Sequence, residues 1–172
     1  MDNKNNSLVA LVFDDAYKAE EARAALHRMS GEGLLEINET AIIVKNGEGK
    51  IHVSQDVNEV QKEQKIGHIA GLVTAAVTGT FPFIIAGTVA GNLIGKLREN
   101  GVTNKFLKSL QTELQPNTSI LVIYGRSDPE RRVQVANRLA IFDPKLIESD
   151  LPPDLERQIT EEIRVARKAA TG

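Results

Sequence analysis

The chain is 172 residues long, 41% hydrophobic and 26% charged, with a net charge of −2; this is enough for one domain with its own core and too evenly balanced for a phosphate-backbone footprint. It has no cysteine, which excludes disulfides, thiolate metal ligands and cysteine nucleophiles. Aromatic residues make up 4% and tryptophan is absent, so base-stacking platforms are poorly supplied and no nucleic-acid partner is expected.

The N-terminus, MDNKNNSLVALVF, offers one lysine and a short apolar run before Asp14 and Asp15. A secretory signal would carry a longer apolar region and a small-residue cleavage site, so a cytoplasmic location is expected. Residues 8–13 (LVALVF) are continuously apolar, the pattern of a strand covered on both faces. Asp14 or Asp15 then caps a helix starting near Ala16, in which Ala19, Ala22, Leu26 and Met29 form one apolar stripe. Ser30, Gly31, Glu32 and Gly33 end it. Residues 40–45 (TAIIVK) and 50–54 (KIHVS) are β-rich runs separated by Asn46, Gly47, Glu48 and Gly49. These four tolerate positive φ, so a hairpin follows.

Residues 66–95, IGHIAGLVTAAVTGTFPFIIAGTVAGNLIG, contain no Asp, Glu, Lys or Arg and six glycines. Beyond them, VTNKFLKSLQTEL sets Phe106, Leu107, Leu110 and Leu114 on one helical face, with Thr103 as a cap. QPNT makes a turn, and residues 119–124 (SILVIY) form another continuous apolar strand. Asp128 and Pro129 open a helix in cap-plus-proline order, carrying Val133, Val135, Leu139 and Ile141. FDPKLIESDL supplies a short edge strand. The last segment, PPDLERQITEEIRVARKAATG, is an amphipathic helix with Leu155, Ile159, Ile163 and Ala166 inward.

Setting residues 66–95 aside, the order is β-α-β-β-α-β with an αβα tail. The expected class is therefore α+β: a ferredoxin-like split βαβ sheet, its first and third strands central, with an inserted Gly/Ala-rich helical hairpin and a C-terminal amphipathic helix. The body comprises residues 1–65 and 96–150, the hairpin 66–95 and the terminal helix 151–172.

From about Leu34 onward the chain resembles a bacterial family described as predicted membrane proteins with a domain of unknown function. ETAIIVKNGEGKIHVSQ, the glycine-rich segment and GVTNKFLKSLQTELQPNTSILVIYG carry the likeness, and LPPDLERQITEEI is similar to the family's C-terminal acidic helix. The sequence departs from the pattern at Thr74, Thr78, Thr80, Thr88 and Asn92, which are polar, and in a proline–glycine turn that here reads Pro116–Asn117. The resemblance implies contact with a membrane and no particular activity.

A single membrane pass would set residues 8–13 and 119–124 on opposite sides of a bilayer, although one sheet needs both. A hairpin keeps them together. Phe81, Pro82 and Phe83 form its tip, because Pro82 disfavours α geometry at Phe81 and has no N–H to donate. The arms, 66–80 and 84–95, are about 22 and 18 Å long at ~1.5 Å per residue, short of a hydrocarbon core of about 30 Å. Gly67, Gly71, Ala75 and Gly79 recur every fourth residue, as do Gly87, Gly91 and Gly95. Each row forms a nearly bare face suited to close helix packing. Lys62 and Lys65 before the segment, with Lys96 and Arg98 after it, give both ends positive charge, as insertion from the cytoplasmic side requires.

The chemistry-bearing residues form no legible active site. His27, His52 and His68 lack metal-ligand spacing, no phosphate-cradling glycine motif occurs, and Ser30, Ser54, Ser109 and Ser119 have no neighbouring base and acid. Asp14 and Asp15 read as a helix cap, and Arg126, Arg131 and Arg132 as a solvated face. The expected protein is thus non-enzymatic, without cofactor, metal or evident small-molecule substrate. It self-associates as a homo-oligomer through the glycine rows, at a membrane surface or by re-entrant insertion. The competing readings are a soluble self-assembling particle with hairpins at its interfaces, and a regulator enclosing a small apolar ligand.

Overall fold

The computed structural model describes residues 7–57, Val77 and 104–148. Their elements run β1 (Ser7–Phe13), α1 (Lys18–Gly31), β2 (Glu36–Lys45), β3 (Ile51–Val57), α2 (Asn104–Glu113), β4 (Thr118–Arg126), α3 (Pro129–Leu139), a short 3-10 turn (Ala140–Phe142) and β5 (Lys145–Glu148). The class is α+β, as expected.

The strands form one sheet in the order β3-β2-β4-β1-β5, every neighbouring pair antiparallel. β1 and β2 therefore run parallel to each other, joined through α1, with β4 between them. β4 and β5 are likewise parallel, joined through α3, with β1 between them. The two crossovers interleave and leave β4 and β1 at the centre. The expectation that the third strand lies centrally is corrected: residues 50–54 belong to the edge, and β4 holds the central place. The reason is chemical. Ile120, Leu121, Val122 and Ile123 are buried on both faces of β4, whereas Ile51, His52, Val53 and Ser54 are all exposed.

The hairpin between β2 and β3 forms as read. The Asn46 N–H bonds to the Lys50 carbonyl at 2.9 Å, Asn46 Oδ1 accepts the Glu48 and Lys50 N–H groups, and Gly49 supplies φ +82°. β2 extends upstream to Glu36, past a bulge between Ile37 and Glu39. The extra residue brings Ile37 and Ile42, five positions apart, onto the same face.

One face packs α1 and α3 against Leu11, Phe13, Ile37, Ile42, Leu121 and Ile123. The stripe read for α1 is buried, with Ala25 added. Ala19, Ala22 and Ala25 let the helix sit close, while Leu26 and Met29 fill depth; each fully buried large side chain stabilises by about 1.5–3 kcal/mol. The helix start is tied twice. Asp15 Oδ1 accepts the Tyr17 and Lys18 N–H groups at 2.7 and 3.2 Å, and Ser119 Oγ accepts from the Ala19 N–H while donating to the Asp15 carbonyl. Orphan N–H groups of the first turn are thereby satisfied.

α3 begins at Asp128 and Pro129 as expected, but its buried residues are Ala136 and Leu139. Ile141, expected inside, is 75% exposed. Ile141 lies two positions beyond the buried Leu139, about 200° around a helix of 3.6 residues per turn, so it stands on the opposite side from the buried face. β5 is the expected short edge strand, paired with β1.

Candidate functional site

The second face of the sheet carries an apolar cluster that includes Val77. Leu8, Ala10 and Val12 of β1, Ala41 and Ile43 of β2, and Ile120 and Val122 of β4 are all buried there. α2 contributes Phe106, Leu110 and Leu114, the stripe read from the sequence, with Leu107 partly buried beside them. Val77 joins the same cluster, helical and 7% exposed. It is the one described residue of 66–95.

The register across this face explains what fits it. Ala41 pairs with Val122 and Val122 with Ala10, so a row of small side chains crosses β2, β4 and β1. The next row, Ile43–Ile120–Val12, is larger. Such a step makes a shallow trough, and Ala10 and Ala41 at its floor are both 0% exposed. Close approach of a covering element is needed to enclose an alanine so fully. α2 makes its main sheet contact with β5, at the opposite end from β2. Its C-terminus is tied back by the Lys45 ammonium, which donates to the Leu114 carbonyl at 3.4 Å.

The sequence-derived association residues Gly67, Gly71, Ala75, Gly79, Gly87, Gly91 and Gly95, the tip Phe81, Pro82 and Phe83, and the flanking Lys62, Lys65, Lys96 and Arg98 lie outside the described residues. So do His68, Thr103 and the expected C-terminal helix over 151–172. Val77, which sequence reasoning did not single out, is the point where that segment is seen against the body.

The basic residues near α3 have structural partners. Arg126 Nε donates to Glu36 at 2.7 Å, Arg131 Nη1 to the Gly33 carbonyl at 2.5 Å, Arg132 Nε to the Ser127 carbonyl at 2.9 Å, and Arg138 pairs with Glu32. Ser127 Oγ donates to the Leu34 carbonyl at 2.8 Å. Together they link the α1–β2 connection to β4 and α3 from a face on which Arg126, Arg131 and Arg138 remain exposed. His27 Nε2 lies 3.1 Å from Asp56 Oδ2, tying α1 to β3, and Arg23 reaches Ser54 at 3.2 Å. Among the described residues no three His, Asp or Glu side chains are grouped to hold a metal ion. No helix among them is long and apolar enough to cross a membrane. In the Pro116–Asn117 turn Asn117 adopts φ 62°, a left-handed conformation that asparagine takes up more readily than other residues bearing a Cβ.

Neither the curated proteins nor the solved structures contain a match to this chain. The likeness read from about Leu34 is matched from residue 65 onward, beyond β3 and through the glycine-rich segment, α2, β4, α3 and β5. That match, to a family of proteins of unknown function (DUF1269), spans residues 65–164, more than half the chain, and the protein belongs to this family.

Proposed function

We propose that the protein is a non-enzymatic self-associating protein: a ferredoxin-like body that holds a glycine-zipper hairpin over residues 66–95 and offers the hairpin's small-residue rows to other copies. The ferredoxin-like assignment is supported by the interleaved crossovers β1-α1-β2 and β4-α3-β5, with β3 as an added edge strand. The observation that carries the association reading is Val77. It is helical and buried in the apolar cluster of the second face. Two positions along a helix are about 200° apart. A helical arm that rests Val77 on the body therefore turns Ala75 and Gly79 away from it, toward whatever packs next. Small-residue rows facing outward favour close backbone contact with another helix, either the second arm or a neighbouring copy.

Contact with a membrane at its cytoplasmic face is the second part of the proposal. It is supported by the uncharged length of the segment and the basic residues Lys62, Lys65, Lys96 and Arg98 at its two ends. Burial of Val77 against the protein's own sheet favours the other arrangement, a soluble oligomer with hairpins at its interfaces.

Light scattering after size exclusion, with and without detergent, tests the association. Gly71→Leu and Gly91→Leu are expected to reduce the oligomer while circular dichroism of the body is retained. Unchanged size in both variants sinks the zipper. Fractionation with a carbonate wash decides location: retention in the pellet supports membrane contact, and complete release supports the soluble oligomer.

A further inference from the structure

We propose that β3 is a second, independent self-association surface, at which two copies pair their β3 strands antiparallel about Ser54 and join two five-stranded sheets into one of ten strands. Long strands at a sheet edge are commonly protected by lysine, proline or a bulge. β3 has none of these: it reads IHVSQDV, and its pairing with β2 runs without a register shift from Ile51 to Val57. Ile51 and Val53 are 36% and 41% exposed, although Val53 pairs with the fully buried Ile43 on the second face. Ile51 and Val53 thus form an exposed apolar strip, and among the described residues no strand pairs with the outer edge of β3.

The backbone fixes which groups point outward. Asn46 and Lys50 form a hydrogen-bonded pair, and in an antiparallel ladder such pairs alternate. Residues 52, 54 and 56 therefore direct their N–H and C=O groups toward β2, and residues 51, 53, 55 and 57 direct theirs to the open edge. A second copy must match outward groups with outward groups. The register centred on Ser54, the midpoint of the strand, does so over all seven residues, opposing 51 with 57 and 53 with 55.

The same register opposes His52 with Asp56 of the second copy, twice by symmetry, so that His52 joins His27 of the second copy beside the Asp56 carboxylate. It places an apolar residue, Ile51, opposite another, Val57. The partner is therefore a second copy of this chain, because the strand is chemically complementary to its own reverse: a basic-capable residue two before the centre and an acid two after it. β3 precedes the family-matched span in the sequence and contains none of the glycine-row residues, so this contact is made by different residues.

The chain has no cysteine, so single cysteines report the register directly. In the proposed pair Ser54 faces its own copy at a non-hydrogen-bonded position, with Cα atoms about 4.5 Å apart, within the range of about 4.4–6.8 Å that a disulfide spans. Two copies of His52, or of Asp56, are offset by four residues, about 14 Å. Mild oxidation of the full-length Ser54→Cys chain is expected to give a cross-linked dimer. His52→Cys and Asp56→Cys alone should give none, and a mixture of those two should give a heterodimer. Val53→Lys added to Ser54→Cys should abolish the cross-link. Equal cross-linking at 52, 54 and 56, or none at 54, overturns the proposal. Run in the Gly71→Leu background, the Ser54 cross-link should persist; its loss there would assign the contact to the glycine rows and overturn the edge pairing.

Discussion

Gly125 sits in β4 opposite Ile37, at the bulge of β2, and the sheet depends on its lacking a side chain. A Cβ built there would overlap the Glu36 carbonyl oxygen and lie 3.3 Å from both Glu36 C and Ile37 Cα. All three neighbours are backbone, so no side chain can rotate aside. Relief to ordinary contact distance needs a shift of about 1 Å in β2 relative to β4. Overpacking of this kind costs about 1–3 kcal/mol, and the strained ladder loses about 1 kcal/mol more for one hydrogen bond. Gly125→Ala should therefore destabilise by about 2–4 kcal/mol, lowering Tm by roughly 5–15 °C in a chain of this size. Gly31→Ala is the control. Its Cβ meets nothing within 4 Å and it ends α1 in helical geometry, so it should stabilise by about 0.5–1 kcal/mol. Urea unfolding followed by far-ultraviolet circular dichroism measures both. A Gly125→Ala chain within about 0.5 kcal/mol of wild type would refute the steric reasoning, since the two glycines would then behave alike.

Val77→Ala removes two methyl groups from a site 7% exposed and should cost about 1.5–3 kcal/mol; thermal unfolding checks it, and a neutral result would detach residue 77 from the body. Arg138→Ala breaks a pair with Glu32 in which both side chains are about half exposed, so the same assay should register a loss below about 1 kcal/mol.

Much of the body was legible because its signals are local. The unbroken apolar runs of β1 and β4 announced burial on both faces, the Asn46–Gly49 segment announced a hairpin, and Phe106, Leu110 and Leu114 announced the inner stripe of α2. What failed needed information from elsewhere in the chain. Periodicity reports how a strand is covered and not which strand lies beside it, so the alternating β3 was given a central place that β4 holds. The start of β2 was missed because Asn38 and Glu39 are polar yet only 5% and 3% exposed, and only the bulge makes room for them. Ile141 is apolar, but two positions after Leu139 it falls on the opposite side of the helix from the buried face. Ser119 carried no signal at all: its two bonds join it to Asp15 and Ala19, the latter 100 residues away. For the candidate site, the sequence offered the glycine rows, whereas the trough of Ala10 and Ala41 exists only once β1, β4 and β2 lie side by side.

The central position of β4 has a consequence for biosynthesis. β1 and β2 each find their main neighbour in a strand made after the whole of residues 58–117. As the chain leaves the ribosome, β2–β3 is the only pair of described strands that can close from what is already present. The apolar edges of β1 and β2 must wait for β4, and the uncharged stretch 66–95 is synthesised within that interval. Non-local pairing of this kind is slow to form and exposes sticky surface meanwhile. A translational pause before residue 118 would lengthen that wait, and ribosome-associated chaperones should engage the nascent chain over that interval and release it once β4 has docked.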